Sequence, residues 1–365
     1  MLNSRSARRI SNDIVRLSQA GLDSLSFRRE AMRCLRAVVP VDSFWFATAD
    51  PETLLFTGSM IEEIPASATP LFIANEFLQD DVNKWVRLAV KRPAVDSLAS
   101  ATRGRLTSSP RYRDILCPLG FGDELRAALH DGQSTWGFMC LHRERAGSNF
   151  SADEEQFLAS LIPHLAHGLR TALLLDRAVT AGDDGPGLLL LADDFSLIAA
   201  TTAGERWLAE IADQPDRQEL PQAVYAAAGR LLAEADPAHV FELPRARVPT
   251  RSGQWLSLHA SRLSKGGGVG QIAVILEPAR PAEVAPLLLE AYGLTRREAE
   301  IANLVLRGIA TAGIAAQLSI SDQTVQQHLK SIFDKTGVGS RRELVAEVFV
   351  RHYKPKVGQP RPNSR

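Results

Sequence analysis

The sequence predicts a multidomain chain in which two α+β regions are followed by an all-α region of four short helices. The chain has 365 residues, of which 45% are hydrophobic and 23% charged, and this length and composition suit two or three globular domains. Within the first 280 residues, β-type runs alternate with helical patterns, whereas the stretch from Leu294 to Val350 has helical periodicity alone. The distribution of charged residues divides the chain at about the same place.

Charge is concentrated near the C-terminus. From Leu294 onward there are twelve Lys or Arg and six Asp or Glu, which gives +6, and because the whole chain is neutral, residues 1–293 carry −6. A basic C-terminal part on an acidic remainder favours a nucleic-acid partner for the last domain.

The cysteines and apolar runs predict a cytoplasmic protein without a membrane segment. Cys34, Cys117 and Cys140 have neither CxxC nor Cys/His metal spacing, and any disulfide pairing leaves one of them over. The apolar runs fall short of the roughly 20 residues that cross a bilayer. No apolar segment follows the N-terminal arginines, so no signal peptide is predicted.

Start and stop signals divide the C-terminal region into four helices. They are Thr295 with Glu298, Gly308, Ser321, Gly337, and Ser340 with Glu343. The two Ser/Thr-x-x-Glu pairs are capping boxes, Ser321 is an N-cap residue, and the two glycines end helices. The second helix is expected over 311–318, and the dipeptide Ser319-Ile320 turns the chain into the third.

The third helix is predicted to have one apolar and one polar face. Val325, Leu329 and Ile332 recur at helical spacing and are expected to pack with Ile301, Val305, Ile314 and Leu318. The opposite face carries Gln323, Gln326, Gln327, Lys330 and Asp334. Hydrogen-bonding side chains with one cation suit a helix in a DNA major groove, although a bundle with a solvated polar face produces the same pattern.

The order of these residues resembles the C-terminal DNA-binding domain of the LuxR/FixJ family of bacterial transcription regulators. The matching positions are Leu294, Thr295, Arg297, Glu298, Gly308, Ile314, Ala315, Leu318, Ile320, Ser321, Thr324, Val325, His328, Leu329, Gly337, Val338 and Arg341. The resemblance implies a helix-turn-helix domain over 287–353 that places the helix at 321–335 in the major groove of double-stranded DNA. The residues expected to contact DNA are Thr311, Ser321, Gln323, Thr324, Gln326, Gln327, Lys330 and Arg341.

The chain departs from the family pattern at the second helix. The family usually has Ser-Asn-Lys-Glu where this sequence has Ala310 to Gly313. An alanine cannot cap a helix, and a glycine inside a helix costs about 1 kcal/mol relative to alanine, so this helix is expected to be marginal. The family tends to have Lys at the position of Gln326, which puts affinity for DNA in doubt.

Residues 22–180 are predicted to form an α+β domain. The predicted elements are a helix from Ser24 to Pro40, strands Ser43–Ala49 and Leu54–Ser59, a long loop over 92–110, a helix at Arg111–Leu116, strands Glu124–His130 and Ser134–His142, and a long helix from the capping box Ser151/Glu154 to about Ala181. This order resembles a GAF-type sensor domain, clearest over 122–170. An unrelated α+β domain of the same order is the alternative.

Residues 186–280 are predicted to contain two strands, two helices and three antiparallel strands, an order that resembles a PAS domain. Asp193 and Asp194 follow a strand, as the acidic pair of a phospho-receiver domain does, but the antiparallel pattern disfavours that fold. The glycine-rich loop at 265–270 has no helix after it, so a hairpin turn is predicted instead of a phosphate cradle. Residues 280–293 are predicted to be a linker, and residues 354–365 a disordered basic tail.

Assembly and ligands are predicted less directly. Apolar positions along the long helix suffice for a partner helix, so a homodimer is expected. A small-molecule effector of unidentified class would bind in the first domain, where five aromatic residues either line a pocket or form plain core: Trp45, Phe46, Trp85, Trp136 and Phe138. His164 and His167 lack a third ligand at a matching spacing, so no metal and no cofactor are expected.

The function that these patterns favour is a DNA-binding transcription regulator controlled by N-terminal sensor domains. An enzyme is disfavoured because the sequence has no Gly-x-Ser-x-Gly motif, paired metal ligands or P-loop. A protein-interaction adaptor that uses the helical bundle without DNA is the remaining alternative.

Overall fold

The computed structural model describes residues 4–175, 185–213, 219–233, 244–263 and 271–350. Its helices are α1 (Ser4–Ser18), α2 (Ser24–Arg36), α3 (Thr69–Leu78), α4 (Trp85–Val90), α5 (Leu98–Ala101), α6 (Ala152–Leu175), α7 (Thr202–Ile211), α8 (Gln222–Leu232), α9 (Pro281–Ala291), α10 (Arg296–Leu306), α11 (Thr311–Leu318), α12 (Asp322–Thr336) and α13 (Arg341–Val350). Its strands are β1 (Ser43–Ala49), β2 (Phe56–Glu62), β3 (Val95–Ser97), β4 (Phe121–His130), β5 (Thr135–Glu144), β6 (Gly187–Leu191), β7 (Leu197–Ala200), β8 (Arg245–Pro249), β9 (Trp255–Leu263) and β10 (Gln271–Pro278).

The first sheet is antiparallel and has the strand order β2-β1-β5-β4-β3. Helices α2 and α6 cover one of its faces, and two glycines let them approach closely. A Cβ on Gly168 would lie 2.1 Å from the Phe27 ring, and one on Gly137 would lie 2.5 Å from the Leu169 side chain. On β5, Cys140 and His142 belong to the alternate set of side chains, which faces away from α6.

Helix α6 is the central helix of this first region. The Ser151 hydroxyl accepts the Glu154 N–H at 3.3 Å and the Glu154 carboxylate accepts the Ser151 N–H at 2.8 Å, so the predicted capping box is confirmed. Within the described part of the chain, α6 is the helix whose length and composition would allow it to cross a membrane. Leu158, Leu161 and Leu165 are at most 1% exposed, as in the core helix of a globular domain.

The second sheet has the order β7-β6-β10-β9-β8, which is the same order as the first when strands are counted from the start of each. The pairs β6–β7 and β6–β10 are antiparallel, so the parallel arrangement of a receiver domain is absent around Asp193 and Asp194. Trp207 on α7 is 1% exposed and anchors that helix.

A buried ion pair and a buried carboxyl group that accepts backbone N–H groups join the second sheet region to the first. The Arg247 guanidinium on β8 donates to both carboxylate oxygens of Asp50, at 2.8 and 2.5 Å. Asp213 accepts the Ser59 N–H from β2 and the Gln222 N–H at the start of α8, the latter at 2.7 Å. Helix α8 packs on α3 and β2.

The C-terminal helices contain one correction to the sequence prediction. Residues 280–293, predicted as a linker, are largely the helix α9, whose Val284, Leu288 and Leu289 are fully buried. Pro281, which lies in the predicted linker, is the first residue of α9, where its missing N–H costs nothing. Helix α9 packs on α10 and α13, and so a fifth helix adjoins the predicted four.

The loop prediction at 92–110 is only partly correct, and some other predictions concern residues outside the described ranges. The loop predicted over 92–110 contains the short strand β3 and helix α5, because Ser97 caps α5 with its hydroxyl on the Ser100 N–H. The turn predicted at 265–270, the tail at 354–365 and the last part of the long helix lie outside the described residues.

Candidate functional site

Helix α12 is held at both ends by the residues that the sequence predicted. The Ser321 hydroxyl accepts the Thr324 N–H at 3.1 Å, and Gly337 ends the helix in the left-handed conformation at φ 72°. Before it, Ser319 also adopts a left-handed conformation, at φ 51°, and turns the chain from α11 into α12. The element predicted over 321–335 is therefore observed to within one residue.

The two faces of α12 separate as expected. Val325, Leu329 and Ile332 are at most 2% exposed. Five polar residues on the other side, here called the polar stripe, are all exposed: Gln323, Gln326, Gln327, Lys330 and Asp334. The polar stripe thus offers amide donors and acceptors and one ammonium group to whatever lies against it.

Helix α10 fixes the positions of α11 and α12 through two adjacent side chains. The Arg297 guanidinium donates to the Leu318 carbonyl, the last of α11, at 2.8 Å. The Glu298 carboxylate accepts from Ser331 at 2.6 Å and from Lys335 at 2.7 Å, both on α12. The Arg-Glu pair of the family motif therefore sets the geometry of the helix-turn-helix.

Glu298 also closes the predicted capping box at the start of α10. Its carboxylate accepts the Thr295 N–H at 2.7 Å, while the Thr295 hydroxyl accepts the Glu298 N–H at 3.3 Å. Burial opposes ionisation of this carboxyl, but the hydrogen bonds from Lys335, Ser331 and Thr295 outweigh it and lower its pKa to about 2. The group is thus a carboxylate at neutral pH.

The remaining predicted DNA contacts lie at the edges of α12. Thr311, at the start of α11, is half-buried and its hydroxyl lies 3.4 Å from the Gln326 amide nitrogen. Ser321 and Thr324 share a hydroxyl–hydroxyl hydrogen bond of 2.8 Å. Arg341 is half-buried at the start of α13 and donates to the Ile309 carbonyl at 3.1 Å, so part of its donor capacity serves the domain itself.

The two features from which a marginal α11 was predicted are present in the structure. Ala310 is its N-cap residue and provides no side-chain hydrogen bond. Gly313 lies inside the helix, and a Cβ there would come within 2.9 Å of the Ile309 side chain.

A cavity of about 50 Å³ lies between the first sheet and α3. Trp45 and Trp85 line it and stack at 5.6 Å, so for these two residues the pocket alternative agrees with the structure. Phe46, Trp136 and Phe138 are at most 1% exposed and do not line it, so for these three the core alternative holds. Gln222, from the start of α8, also lines the cavity, which therefore draws on both sheet regions.

A charged network that sequence reasoning missed lies beside this cavity. Glu124, about 1% exposed, is its centre. One carboxylate oxygen, Oε2, lies 2.7 Å from Arg111 Nε and 3.1 Å from Arg126 Nε. The other, Oε1, lies 3.0 Å from Cys140 Sγ and 3.4 Å from His142 Nε2.

The electrostatics of the network follow from its burial. Burial would raise the pKa of Glu124, yet the guanidinium groups of Arg111 and Arg126 hold it well below its usual value. Burial and the Glu124 charge raise the pKa of the Cys140 thiol well above its usual value. The signal available in the sequence was Cys140-x-His142 on a predicted strand, since residues two apart in a strand share a face.

These features define a helix-turn-helix domain preceded by an α+β region, and comparison with known proteins gives the families. The profile of bacterial regulatory proteins of the luxR family matches residues 293–348, and the GAF domain profile matches residues 7–169. Spore germination protein GerE of Bacillus subtilis is 38% identical over 56 residues, which are 15% of this chain and 76% of that protein. The chain belongs to the luxR family of bacterial regulatory proteins.

Two larger relatives match the same region. An HTH-type transcriptional regulator of Aeromonas salmonicida is 46% identical over 59 residues, 16% of this chain and 30% of that protein. The monoamine regulon transcriptional regulator of Klebsiella aerogenes is 46% identical over 57 residues, 16% of this chain and 25% of that protein. The chain therefore aligns with less than a third of the length of these two relatives.

Proposed function

We propose that this protein is a DNA-binding transcription regulator in which α12 enters the major groove and the N-terminal regions control binding. The observation that carries the proposal is the polar stripe, exposed along a helix whose opposite face is buried and whose position Glu298 fixes from α10. Glutamine amides pair in bidentate fashion with adenine, and lysine reaches guanine or phosphate. Membership of the luxR family supports the same function.

Dimeric binding follows from the charge on α12. Lys330 is the one cation among the five residues of the polar stripe, so α12 by itself neutralises few phosphates and gains little affinity from electrostatics. Two copies on half-sites about one helical turn apart would double the contacts. Equilibrium sedimentation of the full chain, free and with operator DNA, measures this, and a monomer under both conditions contradicts it.

Control by an effector is the second part of the proposal. GAF domains are sensor domains, and the cavity in the first sheet region is lined by side chains from both sheet regions, so a ligand there would alter the contact between α8 and α3. An effector changes DNA affinity only by its differential affinity for two arrangements of the protein, typically about 5- to 150-fold. Reporter expression from the full chain and from residues 281–365 should then differ between growth conditions.

The direct test of the DNA contact is a substitution in the polar stripe. Operator fragments selected from a random DNA pool by the full chain provide the probe. Gln327→Ala should lose about 1–3 kcal/mol, roughly 5- to 150-fold, of discrimination at one base pair of each half-site. Lys330→Ala should instead weaken binding to all sequences and lower the salt dependence by about one charge.

The matched control is Gln133→Ala, which removes an exposed glutamine from the β4–β5 turn. It should bind the selected fragments as the unmodified protein does. Unchanged affinity and sequence preference in both α12 variants would contradict major-groove reading by this helix.

A further inference from the structure

Three different metal-ligating side chains meet on one face of the first sheet. Cys140 and His142 are two residues apart on β5 and so share a face, and Glu124 on β4 lies directly opposite His142. All three are buried, and within the described ranges they form a group whose ligand atoms lie within 4.8 Å of one another. Carboxylate, thiolate and imidazole are the three ligand types that Zn²⁺ uses in proteins.

The separations between these atoms approach those in a tetrahedral zinc site. With metal–ligand bonds of about 2.0–2.3 Å, adjacent ligand atoms in a tetrahedron lie about 3.3–3.7 Å apart. The His142 Nε2 to Glu124 Oε1 distance is 3.4 Å, and the Cys140 Sγ to His142 Nε2 distance is 3.6 Å. The Cys140 Sγ to Glu124 Oε1 distance is 3.0 Å, so this pair would have to open by about half an ångström.

The arginines beside Glu124 support its oxygen and do not occupy the ligand position. Arg111 donates a hydrogen bond to Oε2 and Arg126 lies within ion-pair distance of the same oxygen, which leaves Oε1 facing the thiol and the imidazole. Each arginine also has another carboxylate: Arg126 pairs with Glu76 at 2.8 Å, and Arg111 lies 3.9 Å from Asp81. A ligating carboxylate that is itself hydrogen-bonded is the usual arrangement around a protein-bound metal.

His142 and the cavity provide further support. The His142 ring stacks on Phe121 at 4.9 Å, and Nε2 is the ring nitrogen that lies near Glu124 Oε1 and Cys140 Sγ. Cys140 and His142 both line the cavity of about 50 Å³, which has room for a water molecule as a fourth ligand.

We propose that Glu124, Cys140 and His142 bind a zinc ion whose fourth coordination position faces this cavity. On binding, a Zn–S bond replaces the S–H bond of Cys140, and the proton passes to solvent. The site is independent of DNA binding by α12, so its failure would leave the proposed regulator intact.

The experiment uses the full chain stripped of metal and titrated with Zn²⁺ or Co²⁺ alone. Binding of one zinc per chain should raise the thermal midpoint, because a ligand that binds the folded state stabilises it. Co²⁺ should produce a near-ultraviolet thiolate-to-cobalt absorption band. Cys140→Ser should abolish that band, and both Cys140→Ser and His142→Gln should raise the zinc dissociation constant at least tenfold.

Cys34→Ser is the matched control, because Cys34 is also buried but lies on α2 outside the cluster. It should keep the cobalt band and the stoichiometry, and circular dichroism should establish that all three variants are folded. If the unmodified chain binds no zinc, or if Cys140→Ser retains the cobalt band, the site does not exist. Should Cys140→Ser fail to fold, the thermal shift of the unmodified chain and the His142→Gln titration decide the question.

Discussion

Glu124 in the first sheet region and Glu298 in the C-terminal helices are both buried and both bind several side chains, but their partners lie at different distances along the chain. Both are carboxylates whose pKa is held below its usual value against the effect of burial. The nearest partner of Glu298 is Thr295, three residues away, and its other partners lie on α12. Of the partners of Glu124, Arg126 is two residues away on the same strand, while Arg111, Cys140 and His142 are 13 to 18 residues away.

The difference lies in what each carboxylate stabilises. Glu298 ties together helices that already have their own caps and apolar faces, so its loss weakens an arrangement that other contacts also favour. Glu124 balances buried positive charge, and its partners have no access to water. Breaking a buried ion pair costs about 3–5 kcal/mol because the remaining charge is left unpaired, whereas exposed pairs contribute about 0–1 kcal/mol.

The largest effect is therefore expected in the first sheet region. Arg111→Met removes a guanidinium that is 0% exposed and bonded to Glu124 at 2.7 Å, and to the Asn75 and Val82 oxygens at 3.2 Å. Unfolding of this region should become easier by about 3–5 kcal/mol. Urea titration followed by tryptophan fluorescence measures it, since Trp45 and Trp85 lie beside the network.

Arg262→Met is the control for that experiment. Arg262 lies on β9 of the second sheet and pairs with Asp193 at 3.2 Å, with the two side chains 50% and 40% exposed. Its loss should change stability by less than about 1 kcal/mol. Equal effects from the two substitutions would mean that the Glu124 network contributes no more than a surface pair.

The same contrast explains what the sequence could predict. The capping boxes at Thr295 and Ser151, the N-cap at Ser321 and the C-cap at Gly337 each involve residues within four positions, so spacing alone identified them. Strand order and most of the Glu124 network depend on which distant segments pair. Glu124 and Arg126 are two apart on β4, so alternation alone places them on one face, but no local pattern indicates that Arg111, Cys140 and His142 will join them.

The strands of both sheets other than β3 were also identified from alternation and turn residues, and the linker at 280–293 was a further error. The linker prediction relied on Pro278 and Pro281, although proline is well tolerated in the first turn of a helix, where Pro281 lies. Helix α9 is buried because it contacts α10 and α13. These contacts cannot be predicted from the local sequence of α9.

A smaller loss is expected for Glu298→Ala. The substitution removes hydrogen bonds to Thr295, Ser331 and Lys335, and hydrogen bonds to charged groups contribute about 1.5–3 kcal/mol. Lys335 is 34% exposed, so its share is reduced by solvent, and a total of about 1–3 kcal/mol is expected. Urea unfolding followed by helix content measures it, with Glu300→Ala, a 40% exposed residue on the same helix, as the near-neutral control.

The Glu298 contribution should depend on pH in a defined direction. Its pKa is about 2 in the folded protein against an ordinary value of 4.5, so the carboxylate stabilises the folded state above about 4.5. As the pH falls from 4.5 towards 2, the carboxyl binds a proton more readily in the unfolded chain, and this stability is lost. The difference in unfolding free energy between the unmodified protein and Glu298→Ala should therefore shrink over this range, and a constant difference would contradict the ion-pair assignment.

The smallest effect expected is a gain. Ala310 precedes α11 with extended backbone angles, φ −68° and ψ 159°, which are those of an N-cap residue, yet it has no side-chain oxygen to accept a hydrogen bond. Ala310→Ser would supply that oxygen without changing the backbone, and an N-cap serine is worth about 0.5–2 kcal/mol relative to alanine. The expected increase in stability is near the lower end, because only the first turn of an eight-residue helix is affected. Amide hydrogen exchange within α11 measures this gain. We expect slower exchange in α11 and unchanged exchange in α13. Unchanged exchange in α11 would mean that packing on α12 already determines the stability of this helix.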